Sequence, residues 1–372
     1  MCVSNPKLWD FQLAKLRKYA KDGARGLWVN ACENDGSGGF CTCPRCRAWD
    51  ADPNQATASL PPVEDGSDVD SAGQDDLPES LSDRYARWFN ELARLARQAD
   101  PEARVVSYAY SRYRSPPTKL DHIEPNVWIG YVGFNAYPRS EEYRKMSVDE
   151  WFGWSRLGAT VFLRSNSLFY CGEGAPYVAS RQVAEDTQFQ IQNGLRATDY
   201  DCLQGYWATT GPSYYVLARL LWDTTADPDQ ILDEFYGAFG PMKPVVREYY
   251  EFWEEFTVGL GNDPEFFGLN RTERMQAYPK YYTRDVFSRA RNILAKAQPL
   301  MSQASAAERE RFRNVELGLE HGELLVDALR DGKTSNGVEG ERLFKFRRDV
   351  AARNVINVYW TTSKERRYRV FE

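Results

Sequence analysis

Five short apolar runs separated by helical stretches constrain this chain more than any other feature. They are RGLWVNAC, RVVSYAYS, NVWIGYVGF, ATVFLRSNS and LRATDYDCL, beginning near residues 25, 104, 126, 159 and 195. The stretches around them have helical periodicity. KLWDFQLAKLRKYAKDG places Leu8, Phe11, Leu13, Leu16 and Tyr19 at near-helical spacing, and SDRYARWFNELARLARQADP puts Tyr85, Phe89, Leu92 and Ala96 on one face. SVDEWFGWSRLG, VASRQVAEDTQFQIQNG and SYYVLARLLWD read the same way. Strands alternating with helices predict a parallel sheet with helical crossovers. No strand ends in a GxGxxG turn or a P-loop, which argues against a nucleotide-binding Rossmann fold. A (β/α) barrel fits better, but a full barrel has eight strands. The expectation is therefore the C-terminal part of a (β/α)8 barrel that enters in its third helix, with the first visible strand as strand four. Past residue 225 the pattern is helical, so the chain divides into a partial barrel over 1–225 and an α-helical region over 226–372. Residues 48–80 are rich in Asp, Glu, Pro, Ser and Gly and hold no Lys or Arg, which predicts an exposed, solvated insertion.

Composition removes several functions. The chain has 372 residues and a net charge of −6, with acidic and basic residues interleaved. A nucleic-acid surface needs a basic stripe, and none is present. No run of 18 apolar residues spans a membrane, and the N-terminus does not read as a signal peptide. Seven cysteines are an odd number and too few for a disulfide scaffold of this size, so the compartment stays undetermined. Aromatic residues reach 14%, which suits stacking on sugar faces and suits a large core equally.

Barrel chemistry sits at the C-terminal ends of the strands. Glu33 and Asp35 follow WVNAC there, around Asn34, and two carboxylates in one environment tend to split into a protonated acid and a charged partner. An Asp-Gly turn is the rival reading of Asp35. Asp199 and Asp201 repeat the spacing at the last strand. Arg164, Asn166 and Glu173 end the preceding strand and are candidate contacts to sugar hydroxyls or, through the arginine fork, to an acidic sugar. Tyr131 and Asn135 end the third strand, and Tyr206 and Trp207 offer a stacking platform. Cys43-Pro44-Arg45-Cys46 has knuckle spacing, and Cys41 and Cys32 complete a candidate four-thiolate structural zinc site. A disulfide or simple buried thiols are the alternatives. No other cofactor is expected, and with only His122 and His321 in the chain a catalytic zinc is disfavoured.

Three stretches carry a family resemblance: NDGSGGFCTCPRC, SDRYARWFNELARLARQADPEARVVSYAYSRYRSPP and GYWATTGPSYYVLARLLWDTTADPDQILDEFYGAFGP. Over roughly residues 1 to 255 the chain resembles a (β/α)8-barrel glycoside-hydrolase family long catalogued as a domain of unknown function. That family is similar to α-glucuronidases and includes endo-β-N-acetylglucosaminidases acting on N-glycans. The resemblance implies a retaining or inverting hydrolase of a complex or acidic glycan, and an exported or periplasmic location. Its Asn-Asp-Gly motif falls on Asn34, Asp35 and Gly36, which makes Asp35 the residue carried over. Glu33 as general acid follows from spacing alone, and Asp199 and Asp201 both match the family's acidic residue at the last strand. The family's members also carry an N-terminal domain and early strands before the point matching this chain. A partner-dependent, non-catalytic glycan-binding fragment is therefore a second expectation, and a zinc-stabilised module of unrelated function a third.

Overall fold

The computed structural model describes residues 1–32, 39–51, 80–135, 137–166, 172–201, 203, 205–269, 271–331 and 337–367. Five strands, β1 (Trp28–Asn30), β2 (Arg104–Ala109), β3 (Val127–Tyr131), β4 (Thr160–Ser165) and β5 (Thr198–Tyr200), form one sheet in the order β1-β2-β3-β4-β5. Every pairing is parallel, so the sheet is a curled half-barrel with helices as its crossovers. All five expected strands are present.

The helices are α1 (Pro6–Lys21), α2 (Pro44–Arg47), α3 (Ser82–Ala99), α4 (Glu141–Arg156), α5 (Ser180–Gln192), α6 (Trp207–Trp222), α7 (Pro228–Gly237) and α8 (Lys243–Gly261). After them come α9 (Pro264–Phe267), α10 (Arg271–Tyr281), α11 (Arg284–Ala295), α12 (Ala306–Asp331), α13 (Val338–Val350) and α14 (Val358–Arg367). None is long and apolar enough to cross a membrane among the described residues.

Contacts divide the chain into two compact units. One holds Met1–Asn135, Glu141–Asn166 and Gly194–Asp201; the other holds Ala136–Ser140, Ser167–Asn193 and Cys202–Glu372. The first contains the whole sheet. In it, α1 begins on Asn5, whose side chain accepts from the Lys7 N–H, and buries Leu13, Leu16 and Ala20. Phe11 and Tyr19 face outward instead of joining the expected stripe, with Phe11 80% exposed. The stripe expected on α3 is buried throughout, and Tyr85 stacks on Tyr113 at 4.1 Å. Gly130, the next-to-last residue of β3, lies between Tyr108 and Phe162 in the register. A Cβ there would come within 2.5 Å of Phe162 and 2.7 Å of Tyr108, so the missing side chain is what lets both rings occupy that face.

The second unit buries many aromatic rings against one another. Trp253, for example, stacks on Tyr282 at 5.9 Å and meets Tyr249 edge-on at 6.3 Å. Much of the chain's aromatic surplus is therefore core. Helix α6 starts at Trp207, earlier than Gly211-Pro212 suggests. Pro212 has no N–H for the Ala208 carbonyl four residues back. That carbonyl instead accepts a hydrogen bond from the Tyr250 hydroxyl at 3.0 Å, which accounts for proline inside the helix.

Candidate active site

The C-terminal strand ends of the first unit carry a connected polar cluster. Arg164 on β4 is the register partner of Asp199 on β5, so their side chains emerge on the same face. The guanidinium lies with Nε 3.3 Å from Asp199 Oδ2 and Nη2 2.7 Å from Asp201 Oδ1. Its Nη1 donates to Asn166 Oδ1 at 2.5 Å. The Tyr108 hydroxyl, from β2, donates to Asp199 Oδ2 at 3.3 Å, and Arg164 sits over the Tyr108 ring at 5.4 Å. Asn135, past β3, accepts from the Asn166 N–H at 2.9 Å and so ties the loop after β3 to the end of β4.

Electrostatics follow from this geometry. Burial works against the charge on Arg164, but Asp201, Tyr108 and Asp199 outweigh it and raise its pKa. Burial raises the Tyr108 phenol, and the neighbouring Cys32 adds to the effect. The Cys32 thiol is pushed up to about 11 by burial, against the pull of Arg164 and a hydrogen bond with Tyr108. Cys32 is therefore a neutral thiol in this cluster at neutral pH. The side chains of Asp199 and Asp201 are half exposed, whereas that of Arg164 is mostly covered. The carboxylates thus face solvent while the cation lies behind them. Oriented by Arg164 and open to solvent, the two carboxylates are placed to support developing positive charge.

The other predicted site residues divide. Glu33, Asn34 and Asp35 lie outside the described residues. Tyr131 is fully buried and donates to Glu150 Oε2 on α4 at 2.6 Å, so it faces the helix layer and not the strand ends. Arg114 and Ser115 donate to the same carboxylate at 2.9 and 2.7 Å. Tyr131→Phe is expected to cost about 1–3 kcal/mol of stability, read as a shift in urea midpoint, and to leave glycan binding unchanged. Lost glycan affinity at unchanged stability would return Tyr131 to the site. Arg164 was read as a fork for an acidic sugar, yet all three of its nitrogens already hold partners within the chain, which an acidic ligand would have to displace.

Glu173, Tyr206 and Trp207 belong to the second unit. Glu173 is 3% exposed, adopts a left-handed φ of 50° and accepts from the Tyr206 hydroxyl at 3.4 Å. Thr361 in turn donates to that hydroxyl at 2.9 Å. Tyr206 is fully buried and offers no stacking face; Trp207 is 54% exposed and meets Tyr214 edge-on at 5.0 Å.

The cysteines also regroup. Cys32 sits with Tyr108 and Arg164, and Cys2 takes the place expected for it beside Cys41, Cys43 and Cys46. Tyr108 is the residue sequence reasoning missed at the strand ends. Its signal was available, as a tyrosine within the strand expected over RVVSYAYS. Asp50, read as part of a solvated loop, is instead buried and holds Arg84 through two hydrogen bonds of 2.7 and 2.6 Å.

A curled half-barrel of five parallel strands with alternating helices, followed by a helical region, defines an α/β protein. More narrowly, the chain belongs to the family described as Domain of unknown function (DUF4838), whose profile matches residues 1–251. No curated protein and no solved structure matches it.

Proposed function

We propose that the chain is a glycoside hydrolase that cleaves a complex or acidic glycan by carboxylate chemistry at the strand ends. The observation carrying this reading is the convergence of Cys32, Tyr108, Arg164, Asp199 and Asp201 at the C-terminal ends of parallel strands, where barrel enzymes place their chemistry. Asp201 or Asp199 acts as base or charge stabiliser, with Arg164 fixing its orientation. The proton donor comes from elsewhere, and Glu33, which follows β1 closely in the chain, fills that role, with Asp35 orienting the reacting group.

The test is hydrolysis of a panel of aryl glycosides and N-glycans by the 372-residue chain. Glu33→Gln and Asp201→Asn are expected to lower kcat by about 10²–10⁴-fold while glycan binding persists. A folded wild-type chain that turns over nothing, or variants with unchanged kcat, would sink the reading.

A second reading, a glycan-binding chain whose half-barrel is completed by a partner, is favoured by one feature. Among the described residues β1 pairs only with β2, and Trp28 on that strand is 50% exposed. Glycan binding without turnover would select it.

A further inference from the structure

We propose that Cys2, Cys41, Cys43 and Cys46 form a structural zinc site that fastens the N-terminal segment to the turn at α2. The four sulfur atoms all lie within 4.8 Å of one another. Cys2 Sγ is 3.7 Å from Cys43 Sγ and 3.8 Å from Cys46 Sγ. A tetrahedral zinc with Zn–S bonds of about 2.3 Å sets its thiolates about 3.8 Å apart. A disulfide draws two sulfurs to about 2.05 Å, and all four cysteines are free.

Local structure aims these sulfurs. Cys43 has extended backbone (φ −65°, ψ 153°) immediately before α2, and Pro44 fixes the first helical position, so the Cys43-to-Cys46 turn brings both sulfurs to one side. The Cys46 N–H points at Cys43 Sγ, the Cys43 N–H at Cys41 Sγ and the Ser4 N–H at Cys46 Sγ. Ser4 Oγ lies 3.1 Å from Cys46 Sγ. Hydrogen bonds to sulfur of this kind orient and support thiolate ligands around a metal. Arg84 donates to the Cys41 carbonyl at 2.7 Å and braces the loop from outside. Chance packing explains the group poorly, because Cys2 arrives from 41 and 44 residues away along the chain. Three of the four thiols are only half-buried, which is not how small apolar cysteines fill a core.

With zinc bound, the metal would join the segment that leads into α1 to the loop after β1. This site is separate from the strand-end cluster, so its presence or absence leaves the hydrolase reading untouched.

The experiment uses the whole chain, purified under reducing conditions with zinc and then desalted, with metal counted by plasma mass spectrometry. One zinc per chain is expected, with a fall in thermal midpoint on chelation. Cys2→Ser and Cys46→Ser should lose the metal, and Cys32→Ser should keep the full equivalent. Substitution of Co(II) into the wild type needs no variant to fold, and a tetrahedral thiolate spectrum is expected. Any of four results would overturn the site. They are no stoichiometric metal in the folded wild type, an octahedral cobalt spectrum, disulfides among these four cysteines in place of metal, and loss of zinc from Cys32→Ser with retention in Cys2→Ser.

Discussion

Replacing Arg84 with methionine is expected to destabilise the sheet-bearing unit by about 3–5 kcal/mol, the usual cost of stripping one partner from a buried ion pair. Arg84 is fully buried, and its guanidinium spends Nε and Nη2 on the two oxygens of Asp50 and Nη1 on the Cys41 carbonyl. Removing it leaves a carboxylate in a site only 8% exposed, with the Lys119 ammonium bonded to the Asp50 main-chain carbonyl and not to the carboxylate. Burial works against the charge on Arg84, and Asp50 more than restores it, so the pair exists only as a pair. Urea denaturation followed by tryptophan fluorescence reads the change. Combining Arg84→Met with Asp50→Leu should recover most of the loss, because two apolar side chains can replace a buried pair at little cost. A single-variant loss below about 1 kcal/mol would show the pair to be solvated in solution.

That pair also shows where sequence reasoning stops. The strands were legible because each is a short run rich in apolar or aromatic residues between turn signals. The same property hid which face each residue takes. Tyr131 and Tyr108 both sit near strand ends, yet Tyr131 goes to the helix layer and Tyr108 to the strand-end cluster. Helix α4 begins at Glu141, earlier than its apolar signal, because its first turns are mostly charged and carry little amphipathic pattern. Asp199 and Asp201 were readable as strand-end acids, but their common partner is on the neighbouring strand and follows only from register. Among the cysteines, nearness in the chain favoured Cys32, whereas the fold brings in Cys2. Pairings across long stretches of chain depend on the fold, and local composition does not encode them.

Lowering the pH from 6.5 towards 3 is expected to destabilise the helical unit through one residue, His321. Its ring is fully buried on α12, with Nδ1 2.9 Å from the Gly174 carbonyl oxygen and Nε2 3.1 Å from Nε of Arg347 on α13. Since a carbonyl can only accept and a guanidinium can only donate, Nδ1 carries the proton and Nε2 must keep its lone pair. Glu365 on α14 holds Arg347 in place through two bonds of 2.6 and 2.7 Å, so the arginine cannot swing away when a second proton arrives. Burial first, and then Arg347, lower the His321 pKa to about 3, against the contribution of the Gly174 carbonyl. Above the unfolded value of 6.5 the ring is neutral in both states and the full stability is present. Below it the unfolded chain takes up a proton that the folded chain refuses, so stability falls by about 1.4 kcal/mol per pH unit until the folded ring titrates. Between pH 6.5 and about 5 most carboxylates with values near 4 stay charged, and comparison with His321→Gln separates the histidine from Glu254, whose carboxyl burial pushes up. His321→Gln should be less stable at neutral pH and should show a flatter dependence across that interval. Parallel curves for the two proteins would mean that the ring accepts its proton in the fold. The neutral ring also has a positional role. A Cβ on Gly174 would lie 2.7 Å from His321 Cε1, so histidine and glycine fit as a unit, and together they hold the backbone beside Glu173 in its left-handed turn.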